Sequence, residues 1–201
     1  MWTVIAFLSG SLMFSYWLGL AASHNLQEYG DGNPGAINLW RAAGYGYGLA
    51  GIGLDFLKGY VPVVWLLHTD SATSSAIILA SSAVLLGHMF SPFLGWRGGK
   101  AIAVTFGVWS ALTGFAASLA YAVILAILLV VARWQSKGKP TSSAVDGFYV
   151  VLGMLLLAIF LWAAGYSYHI LLFWLINWLL LAYAHRKELS RFMKATMAAR
   201  S

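Results

Sequence analysis

The sequence predicts an all-α polytopic membrane protein with seven transmembrane helices, its N-terminus outside and its C-terminus in the cytoplasm. Of the 201 residues, 61% are hydrophobic and 9% are charged. A soluble domain carries about 25% charged residues, so this composition excludes a water-soluble fold and a disordered chain. Long uncharged runs and a one-sided distribution of Lys and Arg complete the prediction. We expect one integral membrane domain over residues 1–201.

The first spans follow from runs without charged side chains. Residues 2–23 are uncharged and long enough to cross a hydrocarbon core of about 30 Å. They lack the basic start of a cleaved signal peptide, which favours a retained first helix. Residues 46–67 form the second run, which holds Asp55 and Lys58, and residues 72–93 form the third.

Residues 101–132 are ambiguous. They are uncharged, and as one helix they would extend roughly 48 Å, too long for one crossing and short for two. Basic residues lie at both ends, so a single crossing would place them on both membrane faces. Two short crossings that turn near Thr113 and Gly114 keep them on one face. With residues 147–164 and 168–184 this gives seven spans.

The charge distribution then orients the chain. The turns near residues 68–70, 113–114 and 165–166 carry no Lys or Arg, so the opposite, basic side is predicted to be cytoplasmic. The net charge of +6 is interpreted in the same way, without a role in nucleic-acid binding. The basic residues on this side are Arg41, Arg97, Lys100, Arg133, Lys137, Lys139, Arg186, Lys187, Arg191, Lys194 and Arg200.

Two polar clusters lie in the first third of the chain. The loop of residues 24–41 contains Gly30, Gly32 and Gly35, and successive N–H groups in such loops bind anions. Loops of this length are often functional, although an ordinary turn is the alternative. Asp55 and Lys58 lie on one face of the second span, where ionisable pairs mark a functional path or a structural ion pair.

Two further clusters follow. Arg97-Gly98-Gly99-Lys100 precedes a helix start, where an anion is favoured by the helix dipole and free N–H groups. The alternative is a basic loop on anionic lipid headgroups. After the last span, His185 and Glu188 could share a helix face, although taken alone this segment is typical of a solvated basic tail. Without Cys, the chain has no thiolate zinc site or cysteine nucleophile.

Together the four clusters resemble the bacterial membrane acyl-phosphate:glycerol-3-phosphate acyltransferase family. The order and spacing of the motifs hold over essentially the whole chain, and the family's topology matches the charge-derived one. The matching positions are Gly30, Gly32, Asn33, Gly35, Asn38, Arg41 and Gly44 in the first loop, Asp55, Lys58 and Gly59 in the second span, Gly87, His88, Phe93, Arg97, Gly98, Gly99 and Lys100 in the second loop, and His185, Arg186 and Arg191 in the tail.

The resemblance implies transfer of a fatty acyl group from acyl phosphate to the 1-hydroxyl of glycerol 3-phosphate, giving lysophosphatidic acid and phosphate in phospholipid synthesis. It implies no metal or other cofactor, no nucleic-acid partner, a monomer or weak oligomer among membrane lipids, and a bacterial inner membrane location with the active face cytoplasmic. The implied roles are catalysis by Lys100, His185 and Arg41; phosphate binding by Asp31, Gly32, Asn33, Gly35, Asn38, Gly98 and Gly99; glycerol-phosphate binding by Arg41, Lys100, His185 and Glu188; and support by Asp55, Lys58, His88, Arg97 and Arg186.

Several positions depart from the family pattern and keep alternatives open. Asp31 and Glu188 replace a serine and an asparagine, Gln27 replaces an arginine, Ile37 replaces a threonine and Ala101 replaces a glycine. Added carboxylates repel phosphate. The alternatives are a divergent paralogue that acylates a less anionic acceptor and an inactive homologue that binds lipid or a partner. A transporter is disfavoured because the polar groups lie mostly at one face.

Overall fold

The computed structural model describes residues 1–198, which form helices joined by turns. The chain divides into two compact units, Met1–Phe115 and Ala116–Ser201, and the second is described to residue 198. Arg200, one of the basic residues predicted for the cytoplasmic side, lies outside the described residues.

The first unit contains six α-helices and two short 3-10 turns within the described chain. The helices are α1 (Trp2–Ser11), α2 (Phe14–Ala21), α3 (Ala36–Ala43), α4 (Tyr45–Leu67), α5 (Ser74–Met89) and α6 (Ile102–Thr113), and the 3-10 turns are Leu26–Glu28 and Pro92–Leu94. The second unit contains α7 (Ala116–Gln135), α8 (Ser143–Ala163), α9 (Tyr168–Ala184) and α10 (Arg186–Ala198).

The predicted first span is broken in the middle. Leu12 and Met13 leave the helical conformation between α1 and α2. A helix end leaves carbonyl oxygens without partners, which is costly away from water. The Lys58 ammonium of α4 donates to the carbonyl of Leu12, and the Ser9 hydroxyl donates to the carbonyl of Lys58 at 2.9 Å. A neighbouring helix therefore satisfies the backbone at the break.

Reciprocal glycines bring two helix pairs of the first unit into backbone contact. Between α1 and α5, a Cβ on Gly10 would lie within 3.0 Å of the Val84 carbonyl, and one on Gly87 would meet the Phe7 carbonyl equally closely. Small residues allow such close approach of membrane helices. The α4 and α6 pair is built the same way, with Gly59 against Val104 and Gly107 against Phe56.

The predicted break after residue 113 is confirmed. Helix α6 ends at Thr113, Gly114 and Phe115 have positive φ angles of 54° and 70°, and α7 begins at Ala116. Helix α6 has 12 residues and is therefore about 18 Å long, short of a full hydrocarbon core.

The described residues contain five or six candidate spans, so the predicted number of seven is not confirmed. Five helical segments are long and apolar enough to cross a membrane: Trp2–Ala21, Tyr45–Leu67, Ser74–Leu94, Ala116–Gln135 and Ser143–Ala163. Helices α9 and α10, bent by 70° at their junction, make a sixth if they are counted as one span.

Candidate active site

The loop before α3 is organised around the buried side chain of Asn38. Its Nδ2 lies 2.9 Å from the carbonyl of Tyr29, 2.9 Å from Oδ1 of Asp31 and 3.0 Å from the carbonyl of Asn33, so its two N–H groups are shared among three acceptors. All three partners are oxygen acceptors, so one amide group gathers the loop segment 29–33 over the first turn of α3. Asn38 is 2% exposed, which makes the loss of these bonds costly.

Glycines make room for this arrangement. Gly30 has a φ of 57°, and a Cβ there would lie 2.6 Å from Oδ1 of Asn38 and 3.1 Å from a guanidinium nitrogen of Arg41. Asn38 and Arg41 are one turn apart on α3, so both side chains reach the same end of the loop. Gly35 serves Asn33 in the same way, since a Cβ there would lie 2.6 Å from Nδ2 of Asn33.

An ion pair joins this loop to the start of α6. Nζ of Lys100 lies 2.6 Å from Oδ2 of Asp31, a residue 69 positions earlier in the chain. The other oxygen, Oδ1, accepts hydrogen bonds from Nδ2 of Asn38 at 2.9 Å and from the backbone N–H of Asn33 at 3.2 Å. The two side chains of the pair are 25% and 20% exposed, so the pair is reachable from outside the fold.

The charge of Asp31 is stabilised by its surroundings. Partial burial works to raise the pKa of Asp31, but the hydrogen bond and charge of Lys100, with the donors of Asn38 and Asn33, outweigh it. The pKa of Asp31 therefore lies below its ordinary value, and the carboxylate is ionised at neutral pH.

Gly98 and Gly99 lie against the end of α5. Their N–H groups donate to the carbonyls of Met89 and His88, both at 3.0 Å, and a Cβ on either glycine would collide with His88. His88 is buried, and its imidazole occupies the space beside Gly99. The glycines thus allow a close turn that sets the position of Lys100. Their predicted phosphate contacts stay a prediction, and Arg97, in the same turn, is exposed.

The backbone conformation at Ala101 explains why the family pattern has glycine at this position. It precedes α6 with a φ of 61° and ψ of 17°, the left-handed region. Residues with a Cβ pay roughly 1–2 kcal/mol there, whereas glycine does not. Lys100 is therefore held next to a strained backbone position in this chain.

The pair in the second span is buried and fully inside the first unit. Oδ1 of Asp55 lies 2.8 Å from Nζ of Lys58, and Oδ2 accepts a hydrogen bond from the Ser15 hydroxyl at 2.6 Å. Both side chains of the pair are less than 5% exposed. This arrangement favours the structural ion pair among the two predicted roles, because Lys58 also satisfies the break in the first span.

The predicted tail residues belong to the second unit. His185 and Glu188 are buried, and a Cβ on Gly147 of α8 would lie 2.6 Å from the Cβ of Glu188 and 3.3 Å from the His185 ring. Nδ1 of His185 is 2.9 Å from the carbonyl of Leu181. Arg186 is exposed, donates to the carbonyl of Tyr183 at 2.8 Å and lies over the Tyr183 ring at 4.2 Å. Their substrate contacts stay predictions.

Sequence reasoning missed three parts of this site. It treated residues 24–41 as a loop, whereas α3 carries Asn38 and Arg41; the run of helix formers at 39–43 was the available signal. It also missed Ser15 and the carbonyl of Tyr29. A buried carboxylate needs a hydrogen-bond donor for each of its oxygens. A serine in a neighbouring span, such as Ser15, is therefore the residue to expect as a donor to Asp55. No group of three or more His, Cys, Asp or Glu that could hold a metal occurs among residues 1–198.

Comparisons with known proteins identify the family of this chain. The family model described as glycerol-3-phosphate acyltransferase matches residues 1–195. The chain is 37% identical to glycerol-3-phosphate acyltransferase 1 of Thermotoga maritima over 194 residues, covering 94% of this chain and 95% of that protein. It is 31% identical to the glycerol-3-phosphate acyltransferase of Aquifex aeolicus over 190 residues, covering 94% and 93%.

Solved structures give the same result. The chain is similar to the crystal structure of PlsY (YgiH), an integral membrane glycerol 3-phosphate acyltransferase, in its glycerol 3-phosphate form. The TM-score is 0.84 with 27% sequence identity, over 96% of this chain and 91% of that chain. The lysophosphatidic acid form of the same protein gives a TM-score of 0.82. A match over nearly its whole length therefore places this chain in the glycerol-3-phosphate acyltransferase family.

Proposed function

We propose that this protein transfers a fatty acyl group from acyl phosphate to the 1-hydroxyl of glycerol 3-phosphate, the first acylation in phospholipid synthesis. The observation that carries the proposal is the union of two distant family motifs at one place. The loop ordered by Asn38 meets Lys100 through Asp31, so polar donors and a cation converge beside a set of apolar helices. Both proposed substrates carry phosphate, and one carries an acyl tail.

The reaction makes modest demands on the protein. The glycerol hydroxyl oxygen attacks the acyl carbonyl carbon, the bond from that carbon to the phosphate oxygen breaks, phosphate leaves and the hydroxyl proton is released. Acyl phosphate is already activated, so positioning and stabilisation of developing negative charge supply much of the rate. Lys100 and Arg41 are suited to this because both cations reach the loop before α3, Lys100 at Asp31 and Arg41 beside Gly30.

The proposed roles of the remaining residues follow the resemblance. Gly32, Asn33 and Gly35 bind phosphate with Asn38. Gly98 and Gly99 line the same site through a turn whose own N–H groups are bonded to the end of α5. His185 and Glu188 act on glycerol phosphate. Arg97 and Arg186 support the basic side, His88 positions the turn before Lys100, and Asp55 with Lys58 maintains the helices beneath the loop.

The proposed membrane arrangement has seven spans with the N-terminus outside and the C-terminus in the cytoplasm of a bacterial cell. The absence of Lys and Arg from the turns at 68–70, 113–114 and 165–166 supports it. The loop of residues 24–35 and Lys100 then face the cytoplasm, where glycerol 3-phosphate is available. We propose that the whole chain acts as one membrane domain, monomeric or weakly oligomeric.

Phosphate release tests the function directly. Purified protein in uncharged detergent receives palmitoyl phosphate with and without glycerol 3-phosphate, and lysophosphatidic acid is identified by mass. We expect release that depends on glycerol 3-phosphate and falls at least about 100-fold in Lys100→Ala. Lys139→Ala, which removes an exposed cation elsewhere, is the matched control and should leave turnover unchanged. Release that ignores glycerol 3-phosphate would instead favour another acceptor, and undiminished transfer by Lys100→Ala would overturn the assignment.

A further inference from the structure

We propose that Asp31 determines how tightly this enzyme binds phosphate, because its carboxylate occupies in the resting protein the donors that a substrate phosphate takes. Binding of a phosphate monoester then requires exchange of Asp31 for the ligand. The inference rests on the proposed function for its biological meaning, and on the geometry of the loop for its mechanism.

The surroundings of Asp31 have the composition of an anion site. Its two oxygens meet an ammonium group, a side-chain amide and a backbone N–H, from Lys100, Asn38 and Asn33, at 2.6, 2.9 and 3.2 Å. These are the donor types that hold phosphate oxygens in proteins. A carboxylate from the protein itself is in contact with all three.

Charge sets the two anions in competition. Two negative groups at hydrogen-bond distance from one ammonium repel each other, and this repulsion weakens the binding of the second anion. The ionised state of Asp31, which its low pKa secures, maintains this competition at neutral pH. A phosphate therefore binds Lys100 more favourably once the carboxylate has moved away from that cation.

The exposure of the pair permits the exchange. Both side chains lie at the surface of the first unit and are 25% and 20% exposed, so a ligand and water reach them without unfolding. The neighbouring backbone at Gly32 has a φ of 73°, and a Cβ there would meet only the Gln27 carbonyl, at 3.2 Å. The segment that carries Asp31 is thus lightly packed, whereas Asn38 beneath it is buried.

The pattern that the family resemblance brings to this position has serine, which donates a hydrogen bond instead of competing for one. This chain should consequently bind phosphate groups more weakly than its own serine variant does. For the same reason, Asp31 in the parent chain should weaken the binding of the phosphate product and speed its release.

Binding of inorganic phosphate measured by titration calorimetry tests the exchange without requiring turnover. The full chain in uncharged detergent is compared with Asp31→Asn, which keeps the Oδ1 acceptor for Asn33 and Asn38, and with Asp31→Ser. We expect the dissociation constant for phosphate to fall about fivefold to tenfold in both variants. If Asp31→Asn does not fold, as judged by thermal unfolding and gel filtration, Asp31→Ser carries the test.

Glu28→Gln is the matched control. Glu28 is an exposed carboxylate three residues away in the same loop, with its Oε1 on Nδ2 of Asn25 at 2.7 Å. The Glu28→Gln substitution removes one negative charge from the same loop and leaves the ion pair between Asp31 and Lys100 unchanged. An unchanged dissociation constant in Glu28→Gln supports direct exchange. An equal gain in that control, or an unchanged or weaker constant in both Asp31 variants, would overturn the proposal.

Two kinetic measurements identify which substrate's phosphate displaces Asp31. The KM for glycerol 3-phosphate and the KM for palmitoyl phosphate are measured in the parent chain and in Asp31→Ser. A KM that falls about fivefold for one substrate assigns the exchange to its phosphate. Tighter phosphate binding without turnover in any variant would retain the exchange while rejecting the proposed enzyme activity. A loss of kcat with unchanged phosphate binding in Asp31→Ser would reject the exchange.

Discussion

At the scale of single residues, the order of the loop before α3 depends on Asn38. One amide nitrogen holds three acceptors of the loop, and the side chain is buried beneath them. Asn38→Ala should lower the free energy of unfolding by about 1–3 kcal/mol, because buried acceptors lose their donor. It should also lower turnover at least tenfold, since Asp31 and Asn33 lose a common anchor. Thermal unfolding and the phosphate-release assay measure both effects.

The neighbouring Ile37 provides the control. It is 56% exposed on another face of the same short helix, so Ile37→Ala should change the free energy of unfolding by less than about 0.5 kcal/mol. Comparable losses in Asn38→Ala and Ile37→Ala would show that α3 as a whole, and not the amide, orders the loop.

Asp31 gives a prediction of pH dependence whose sign follows from its environment. A carboxyl whose pKa is depressed on folding contributes stability that is present above its unfolded pKa of about 3.9 and is lost as the pH falls through the folded value. The parent chain should therefore exceed Asp31→Asn in stability by about 0.5 kcal/mol at pH 7, a modest amount because the pair is partly solvated.

Thermal unfolding of both proteins between pH 7 and pH 3 checks this. The difference between them should stay constant down to about pH 5 and shrink below the unfolded pKa of about 3.9. A difference that grows toward acid pH would contradict the assigned direction. Asp31 thus stabilises the resting loop with the same contacts that, in our proposal, weaken phosphate binding.

At the scale of elements, the buried pair of α4 stabilises the broken first span. Removal of Lys58 alone strands the Asp55 carboxylate and the Leu12 carbonyl, whereas removal of both charges leaves no isolated ion. Lys58→Met should therefore cost about 3–5 kcal/mol, and the double variant Asp55→Leu with Lys58→Met should recover part of that loss.

A double-mutant cycle on thermal unfolding in detergent measures the coupling. Ser15→Ala, which removes only the hydroxyl donor of Asp55, is the milder comparison and should cost about 1–2 kcal/mol. Strict additivity of the two charge removals would contradict a direct role of the pair.

Helix contact through glycine makes a second element-scale prediction. A methyl at Gly107 would press on the Phe56 carbonyl and the Tyr60 N–H, both on α4. Gly107→Ala should lower stability by about 1–3 kcal/mol, because neither backbone can yield. Gly53→Ala is the matched control: a Cβ there meets nothing within 4 Å, and alanine should stabilise the helix by up to about 1 kcal/mol. Thermal unfolding of the two variants should move in opposite directions.

The sequence predicted those elements whose causes lie nearby in the chain and missed those that depend on distant residues. Charge at both ends of residues 101–132 was enough to place the turn that the structure has at Gly114 and Phe115. The break at Leu12 and Met13 was not predictable, because its compensation comes from Lys58, 46 residues away. Helix α3 was missed because its apolar face is short and lies within a polar loop.

The site was predicted unevenly for the same reason. Motif matches named Asn33, Asn38 and Lys100, whereas Asp31 was named both as a phosphate-binding position and as a carboxylate that repels phosphate. Its contact with Lys100 is a pairing across 69 residues, which no local pattern encodes. The use of the Gly98 and Gly99 N–H groups by carbonyls of α5 is likewise a tertiary effect.

At the scale of the whole molecule, the seven-span arrangement requires the 12-residue α6 to cross the membrane. The chain has no Cys, so single cysteines can report sidedness without a background. Asp70→Cys and Phe115→Cys should react with an impermeant maleimide from outside intact spheroplasts, and Lys139→Cys only after permeabilisation. These positions are exposed in the structure. The seven-span arrangement requires this pattern, because α4, α5, α6 and α7 each change sides.

The position of Phe115→Cys decides the count. If it labels from the side opposite to Asp70→Cys, α6 returns to the face where it began, and the seven-span count is wrong. Labelling of Asp70→Cys from the cytoplasmic side would invert the whole arrangement.

The paired glycines of the first unit have a consequence for how this sequence can diverge. Gly10 and Gly87 close one helix interface from opposite sides, so a methyl at either position pushes the same two backbones apart. Once one has changed, the second change meets a gap that has already opened and costs less than it would alone. Substitutions should therefore be rare at Gly10 and at Gly87, and a substitution at one position should accompany a substitution at the other. Gly46 and Gly53, where a Cβ has open space, are free to vary independently.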